Sequence, residues 1–326
     1  MVKKFLYFTD SHYQVSSPAR RSDDYFQAVT AKFEEIAKIA IDKKVDFLIT
    51  GGDTYNSPSP TPQVVRNFIR VFKDVPAVKI ACLGNHEMLG HQVASVEDRM
   101  IGLLRDLRND YPFRFLSNDE KSGNIASYAD PDSDIRIDVM DYFHGIEGAL
   151  AQMTGKVVQN AILAPHANIV RAPAIFPDHV RMDDLQLPYE IILCSHYHPQ
   201  LGYYTNKWGN TFVSPGALSR GAISIDDLVR VPSVAFFGID TEKGIVSPEI
   251  LPLKCARPSE EVFDLESVRE ERQNETRLDE FIAQVKLGKL QTTSYDLQAF
   301  VQAISESEGA SEEVKGEAMR ALADVL

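Results

Sequence analysis

The chain has 326 residues, 44% of them hydrophobic and 25% charged, and a formal net charge of −13. That is the composition of an ordinary globular protein, long enough for one main domain and an appendage, and no run of apolar residues is long enough for a membrane-spanning helix. The acidic balance argues against holding nucleic acid by bulk charge. Residues 256–326, however, carry twice as many acidic as basic side chains and account for more than half of the excess, so the rest of the chain is only mildly acidic. The opening residues Met1–Phe5 run straight into a strand-like segment without the apolar stretch of a signal peptide. Cys82, Cys194 and Cys255 are odd in number and far apart, which reads as free thiols in a reducing compartment and so as a cytoplasmic protein.

In chain order, Lys4 to Thr9 is an apolar run of buried-strand type ending in Asp10-Ser11-His12. Asp23 is placed to cap a helix whose apolar positions Phe26, Val29, Phe33, Ile36, Ala37 and Ala40 keep helical spacing. Val45 to Ile49 is the next strand, ending in Gly51-Gly52-Asp53, and a Pro-rich loop leads to a helix with Val64, Val65, Phe68, Ile69 and Phe72 on one face. Ala77 to Leu83 is a third strand, ending in Gly84-Asn85-His86-Glu87, and a helix is expected near Val96 to Leu107. Strands and helices alternating in this way imply a sheet whose two faces are both covered, with ligands gathering at the carboxyl ends of the strands.

Further on, Ile135–Met140 alternates as a strand, Gly145–Met153 reads as a short helix, and the apolar run Ala161–Ala164 ends in Pro165-His166-Ala167-Asn168. The run Glu190–Leu193 ends in Cys194-Ser195-His196-Tyr197-His198. Thr211–Val213, Val234–Ile239 and Gly244–Leu253 read as strands of an antiparallel, hairpin-rich half. From Ala256 the spaced apolar residues Leu278, Phe281, Ile282 and Val285, then Leu297, Phe300, Val301 and Ile304, then Val314, Ala318, Leu322 and Val325, point to three helices in an acidic setting.

Five of the eight histidines follow expected strands directly, together with Asp10, Asp53 and Asn85. Carboxylate, imidazole and amide-oxygen donors suit Mn, Fe or Zn rather than a thiolate site. Asp10, His12, Asp53, Asn85, His166, His196 and His198 are too many ligands for one ion and right for two, if Asp53 bridges. Two ions so held clamp the attacking and leaving oxygens of a phosphoryl displacement and acidify a water.

The order D-x-H, GGD, GNHE, a lone His and SHxH resembles the five-block signature of the calcineurin-like metallophosphoesterases. Within them the chain looks most like SbcD-type nucleases, on Arg20-Arg21 with Asp24 and Phe26, on Gly52 to Pro60, and on Val213 to Arg220. The resemblance covers about residues 3 to 255. It implies an α/β fold, a four-layer α-β-β-α sandwich over residues 1–255, followed by a short, acidic, mostly helical region over 256–326 that stands in for a larger DNA-capping domain. It implies one metal on Asp10, His12, Asp53 and His198 and a second on Asp53, Asn85, His166 and His196. His86 then meets the scissile phosphate and assists the leaving oxygen as the catalytic residue.

The same resemblance implies Mn as the metal (Fe, Zn or Mg being alternatives), DNA as substrate and a coiled-coil SbcC-type ATPase as partner. It also implies dimerisation through early helices, for which residues 64–72 and 96–107 are apolar enough, although they would look the same if buried within one subunit. The terminal helix either docks the ATPase or packs on the core. Three departures stand out: Ser195 in place of a usual Gly, Glu87 in place of a usual Asp, and Asn56 where a histidine supports exonuclease action. Two other readings share these residues: a phosphoesterase acting on a nucleotide, small molecule or phosphoprotein, and a non-catalytic scaffold, which has no need of seven intact ligands.

Overall fold

The computed structural model describes residues 1–107, 110–116, 125–172, 178–221 and 224–265. Met1–Phe263 form one compact unit; the helices expected beyond residue 265 lie outside the described residues. Strands β1 (Val2–Phe8), β2 (Phe47–Thr50), β3 (Val78–Ala81) and β4 (Arg114–Phe115) alternate with helices α1 (Tyr25–Lys43), α2 (Pro62–Phe72) and α3 (Met100–Asp106). Then come β5 (Ala126–Ala129), β6 (Arg136–Met140), α4 (Ile146–Gln152), β7 (Ala161–Pro165) and the short pair β8 (Ile169–Val170) and β9 (Val180–Arg181). They are followed by β10 (Ile191–Leu193), β11 (Gly202–Thr205), β12 (Thr211–Ser214), α5 (Ile225–Val229), β13 (Ser233–Asp240), β14 (Gly244–Pro252) and α6 (Ser259–Val262).

Two six-stranded sheets result, in the orders β14-β13-β1-β2-β3-β4 and β11-β12-β10-β7-β6-β5. The period-two rule places them face to face. Phe5 and Tyr7 of β1, with Phe47 and Ile49 of β2, join Ile137, Ile162, Leu193 and Val213 of the second sheet in one buried cluster. Leu6, Phe8 and Leu48 point the other way, into a cluster with Phe33 of α1 and Phe68 and Phe72 of α2. The outer face of the second sheet packs Leu163, Ile192 and Phe212 against Ile146 and Leu150 of α4. The expected α-β-β-α sandwich is therefore the observed one.

Several local expectations shift. Asp24, not Asp23, caps α1, its carboxylate accepting the Gln27 amide at 3.0 Å. Asp23 is taken instead by Arg21, whose Nε and Nη2 donate to its two oxygens at 2.8 and 2.7 Å. α3 starts late because Arg99 is extended (φ −122°, ψ 173°). Of the strands expected to be antiparallel, β13 and β14 form the hairpin, whereas β12 pairs antiparallel with β11 but parallel with β10. In the second sheet β6, β7, β10 and β12 run parallel, and only the edge strands β5 and β11 are antiparallel to their neighbours. The fully buried runs Ala161–Pro165 and Ile191–Leu193 are the mark of parallel strands covered on both faces, and their long connections are what parallel pairing needs. The hairpin β13–β14 crosses back to the first sheet, where β13 lies antiparallel to β1. On the helices expected to dimerise, Val65, Phe68 and Leu104 are buried within the subunit, while Leu103 is exposed. No helix among the described residues is long and apolar enough to cross a membrane.

Lys32 is one of several buried cations in this framework. Lys32 of α1 donates Nζ to the Leu218 carbonyl at 2.8 Å. Burial, then the charges of Arg21, Arg220 and Arg230, lower its ammonium from 10.5 to about 7. Between that value and 10.5 the unfolded chain holds a proton that the folded one lacks, so this group adds stability as pH rises through the window. Buried thiols such as Cys194, raised by burial to about 12, act in the opposite sense. Comparison of wild type with Lys32→Met in urea melts at pH 7, 8 and 9 isolates the lysine: the stability of the variant relative to wild type is expected to fall as pH rises.

Candidate metal centre

The candidate ligands are delivered by the carboxyl ends of five strands from both sheets. Asp10 and His12 follow β1, Asp53 follows β2, Asn85 and His86 follow β3, His166 follows β7, and His196 and His198 follow β10. Three clusters of donor atoms lie within 4.8 Å of one another: Asp10, His12 and His198; Asp53, His166 and His196; and His12, Asp53 and His86. The first two are the halves of the expected dinuclear site. Asp53 Oδ2 lies 3.3 Å from His166 Nε2 and 3.9 Å from His12 Nε2, so one carboxylate faces both halves. Asn85 Oδ1 is 3.3 Å from His166 Nε2. His86 stands at the mouth, its ring edge-on to His12 with centroids 4.5 Å apart. All seven expected ligands and His86 are thus brought together.

The backbone bends to do this. Asp10 (φ 51°), His12 (φ 44°), Asp53 (φ 47°) and His196 (φ 68°) all adopt the left-handed conformation that L side chains rarely take. Such residues persist where surrounding structure forces them, and they cluster at functional sites. The glycines of the motifs make room. A Cβ on Gly84 would lie 2.0 Å from Asp53 Oδ1, and one on Gly52 would lie 2.5 Å from His166 Nδ1. Ser195 fits where a glycine was usual, its Oγ donating to the Pro165 carbonyl at 2.8 Å. Asn56 donates its amide to Gln14 Oε1 at 2.6 Å, clasping the loops after β1 and β2.

Each imidazole is oriented by what it touches. His166 Nδ1 pairs with the Gly51 carbonyl at 2.8 Å, which turns Nε2 toward Asp53 and Asn85. His12 Nε2 and His198 Nε2 point at each other at 3.2 Å. Burial lowers His12 and His196 to about 4, so both are neutral at pH 7 with a lone pair to give. Asp53 is different. Burial opposes its ionisation, yet the charge and hydrogen bond of His166, then His12 and His86, hold its carboxyl far below the usual range. Burial also opposes protonation of His166, but Asp53 and then Asp10 drive it upward. The buried carboxylates demand positive charge, and Asp10 Oδ1 is buried without a hydrogen-bond partner among the described residues. Carboxylate, imidazole and amide oxygen converging on an orphaned buried oxygen fit two divalent cations.

The roles of two features escaped the sequence reading. Glu87 is buried, and its carboxylate accepts the backbone N–H groups of Gly84 (2.7 Å), Asp53 (2.9 Å) and Tyr55 (2.9 Å). It therefore ties the loop after β3 to the loop after β2. Burial and then Asp53 raise it to about 8. The second feature is the brace behind Asp10. The Leu218 amide donates to the Thr9 carbonyl, and the Ser219 amide and hydroxyl to the Asp10 carbonyl. Arg230 in turn holds the carbonyls of Ala217 and Ser219, and Arg21 that of Arg220. Arg21 and Val213–Arg220 thus serve the site as scaffold. Calorimetric titration of the apoprotein with Mn(II) or Zn(II) is expected to end at two ions per chain. Asp53→Asn should weaken both, and Glu87→Gln should weaken binding by about tenfold or more, as loss of outer-shell support does; an unchanged titration of Glu87→Gln would remove its positioning role.

The family described as calcineurin-like phosphoesterase matches residues 3–200, a span that holds every candidate ligand. Among solved structures, a dimetal phosphatase from Danio rerio is 11% identical with a TM-score of 0.45, covering 77% of this chain and 98% of that one. The protein TT1561 of Thermus thermophilus is 12% identical with a TM-score of 0.40, covering 77% and 99%. GAP50, the anchor in the inner membrane complex of Plasmodium, is 8% identical with a TM-score of 0.41, covering 78% and 89%. With a family match over more than half of its length, the chain belongs to the calcineurin-like phosphoesterases.

Proposed function

We propose that this metal-dependent phosphoester hydrolase is a phosphodiesterase of DNA, a nuclease subunit of SbcD type working in the cytoplasm with Mn. The observation that carries the reading is the Asp53 carboxylate shared between two ligand clusters, with His86 beside them. The site is also open: the His198 side chain is 41% exposed, which suits a phosphodiester within a long polymer. The likeness of Arg20-Arg21 and Val213–Arg220 to the SbcD-type blocks supports the nuclease branch over other phosphoesterases.

When bound, the two ions supply Lewis-acid polarisation of the phosphoryl oxygen and an acidified water. The chain's own residues do the rest. Asp53 and Asp10 supply the negative charge that fixes the cations. The His86 amide donates to Asp53 Oδ1 at 2.9 Å, which sets its ring at the mouth of the site. From there the imidazole hydrogen-bonds the phosphate and gives a proton to the departing oxygen. The left-handed residues hold this geometry before substrate arrives, so little reorganisation is left for the reaction.

Purified protein with Mn is expected to cleave linear duplex DNA and bis-p-nitrophenyl phosphate. His86→Ala should lower turnover by at least about 100-fold while keeping two metals. Hydrolysis of cyclic or mononucleotides with no DNA cleavage, with or without an ATPase present, would favour a nucleotide phosphoesterase instead. The partner is a coiled-coil ATPase of SbcC type that docks on the C-terminal residues. Deletion of residues 311–326 is expected to abolish co-purification with such an ATPase and to spare bis-p-nitrophenyl phosphate hydrolysis; retained co-purification removes the docking role.

A further inference from the structure

Beyond the ligands and His86, the ring of Tyr142 lies against the site. Tyr142 follows β6, a strand that supplies no metal ligand. Its ring centroid lies 5.6 Å from that of His196 at 53° and 6.3 Å from that of His166 at 79°. On its other side it meets His91 at 5.8 Å and 80°, an edge-to-face contact. The loop that carries the ring is tied down. The Tyr142 amide donates to the Leu83 carbonyl at 2.9 Å, and the Leu83 amide donates back to Asp141 Oδ1 at 2.8 Å, so the loop after β6 is tied to the loop that carries Asn85 and His86. Part of the ring packs on the core, and the rest stays open to solvent. The turn that brings in His91 also leaves Leu89 half exposed, at 51%. Beside His196 the site thus presents an aromatic ring.

We propose that Tyr142 is the platform on which a flat ring of the substrate, a nucleobase one sugar away from the bound phosphate, stacks beside the metal centre. This rests on the phosphodiesterase reading and deepens it, by naming a nucleoside ester as the substrate class. A partly exposed aromatic ring stacks any base, and such contacts are sequence-tolerant. Its position next to His196 sets the base on the side of the second ion's cluster, away from Asp10 and His198.

The test is equilibrium binding to the full-length protein loaded with metal. By calorimetry, thymidine 5′-phosphate is expected to bind at least about fivefold tighter than 2-deoxyribose 5-phosphate, which lacks the base. Tyr142→Leu should erase that preference and Tyr142→Phe should keep it, with metal content and 2-deoxyribose 5-phosphate affinity unchanged in both. Tyr142→Met is the second variant should the leucine unsettle the fold. A preference that survives in the leucine or methionine variant, or that is absent from wild type, overturns the proposal. So does a phenylalanine variant that behaves like the leucine one, because the hydroxyl rather than the ring would then be the contact. Diester hydrolysis without base preference sinks this inference alone; base preference dependent on Tyr142 without hydrolysis of any diester sinks the phosphodiesterase reading alone.

Discussion

The burial of the Asp53 carboxylate is the constraint on which the site depends. An ionised carboxylate away from water is costly unless opposite charge and hydrogen bonds surround it. Here one oxygen takes the His86 amide and the other faces His12 and His166. Those partners come from three different loops, so the loops have no freedom to drift apart. Gly84 and Gly52 follow from the same constraint, since any larger residue would collide with Asp53 or with the histidine beside it. Glu87 completes it by holding the Asp53 and Tyr55 amides from below. Left-handed backbone at four ligands costs on the order of 1–3 kcal/mol each. The apolar cluster between the two sheets is what allows the chain to carry that strain.

Behind the ligands lies a layer of cations bound to backbone carbonyls. Arg21, Lys32 and Arg230 all donate to backbone carbonyls of residues 217–220. Arg21 also lies over the rings of Tyr25 and Phe263. That loop carries the amides that hold Thr9 and Asp10, so a mutation here would act on metal affinity through the position of Asp10 rather than through charge at the phosphate. A chain with net negative charge can therefore concentrate arginine near its active centre and still leave the ligand pocket to carboxylates and imidazoles.

The candidate ligands were legible as one cluster in the sequence because each combines a donor side chain with an apolar run directly before it, and strand ends converge in sheets of this kind. The same apolar runs said that the sheets are covered on both faces, and the family resemblance supplied the four-layer arrangement. The parallel pairing of β12 with β10 did not follow, because a short run such as Ile191–Leu193 says that it is buried but not which neighbour it pairs with or in what sense. Asp23 and Asp24 are equally good caps on paper; the guanidinium of Arg21 decides between them, and that is a tertiary fact. Glu87 and Tyr142 were silent for a related reason. One works through backbone amides, which leave no mark in a sequence, and the other reaches the site from a strand that carries no ligand.

The division of the ligands between the sheets has a further consequence. Asp10, His12, Asp53 and Asn85 extend from one sheet and His166, His196 and His198 from the other. A cation held by both sets fastens two halves of the chain that are distant in sequence, as a disulfide does where the surroundings are oxidising. Unlike a disulfide, this clasp is reversible and obeys mass action: its contribution to the folded state grows with free metal and vanishes with chelation. The working lifetime of the protein is therefore a function of metal supply as well as of its own sequence.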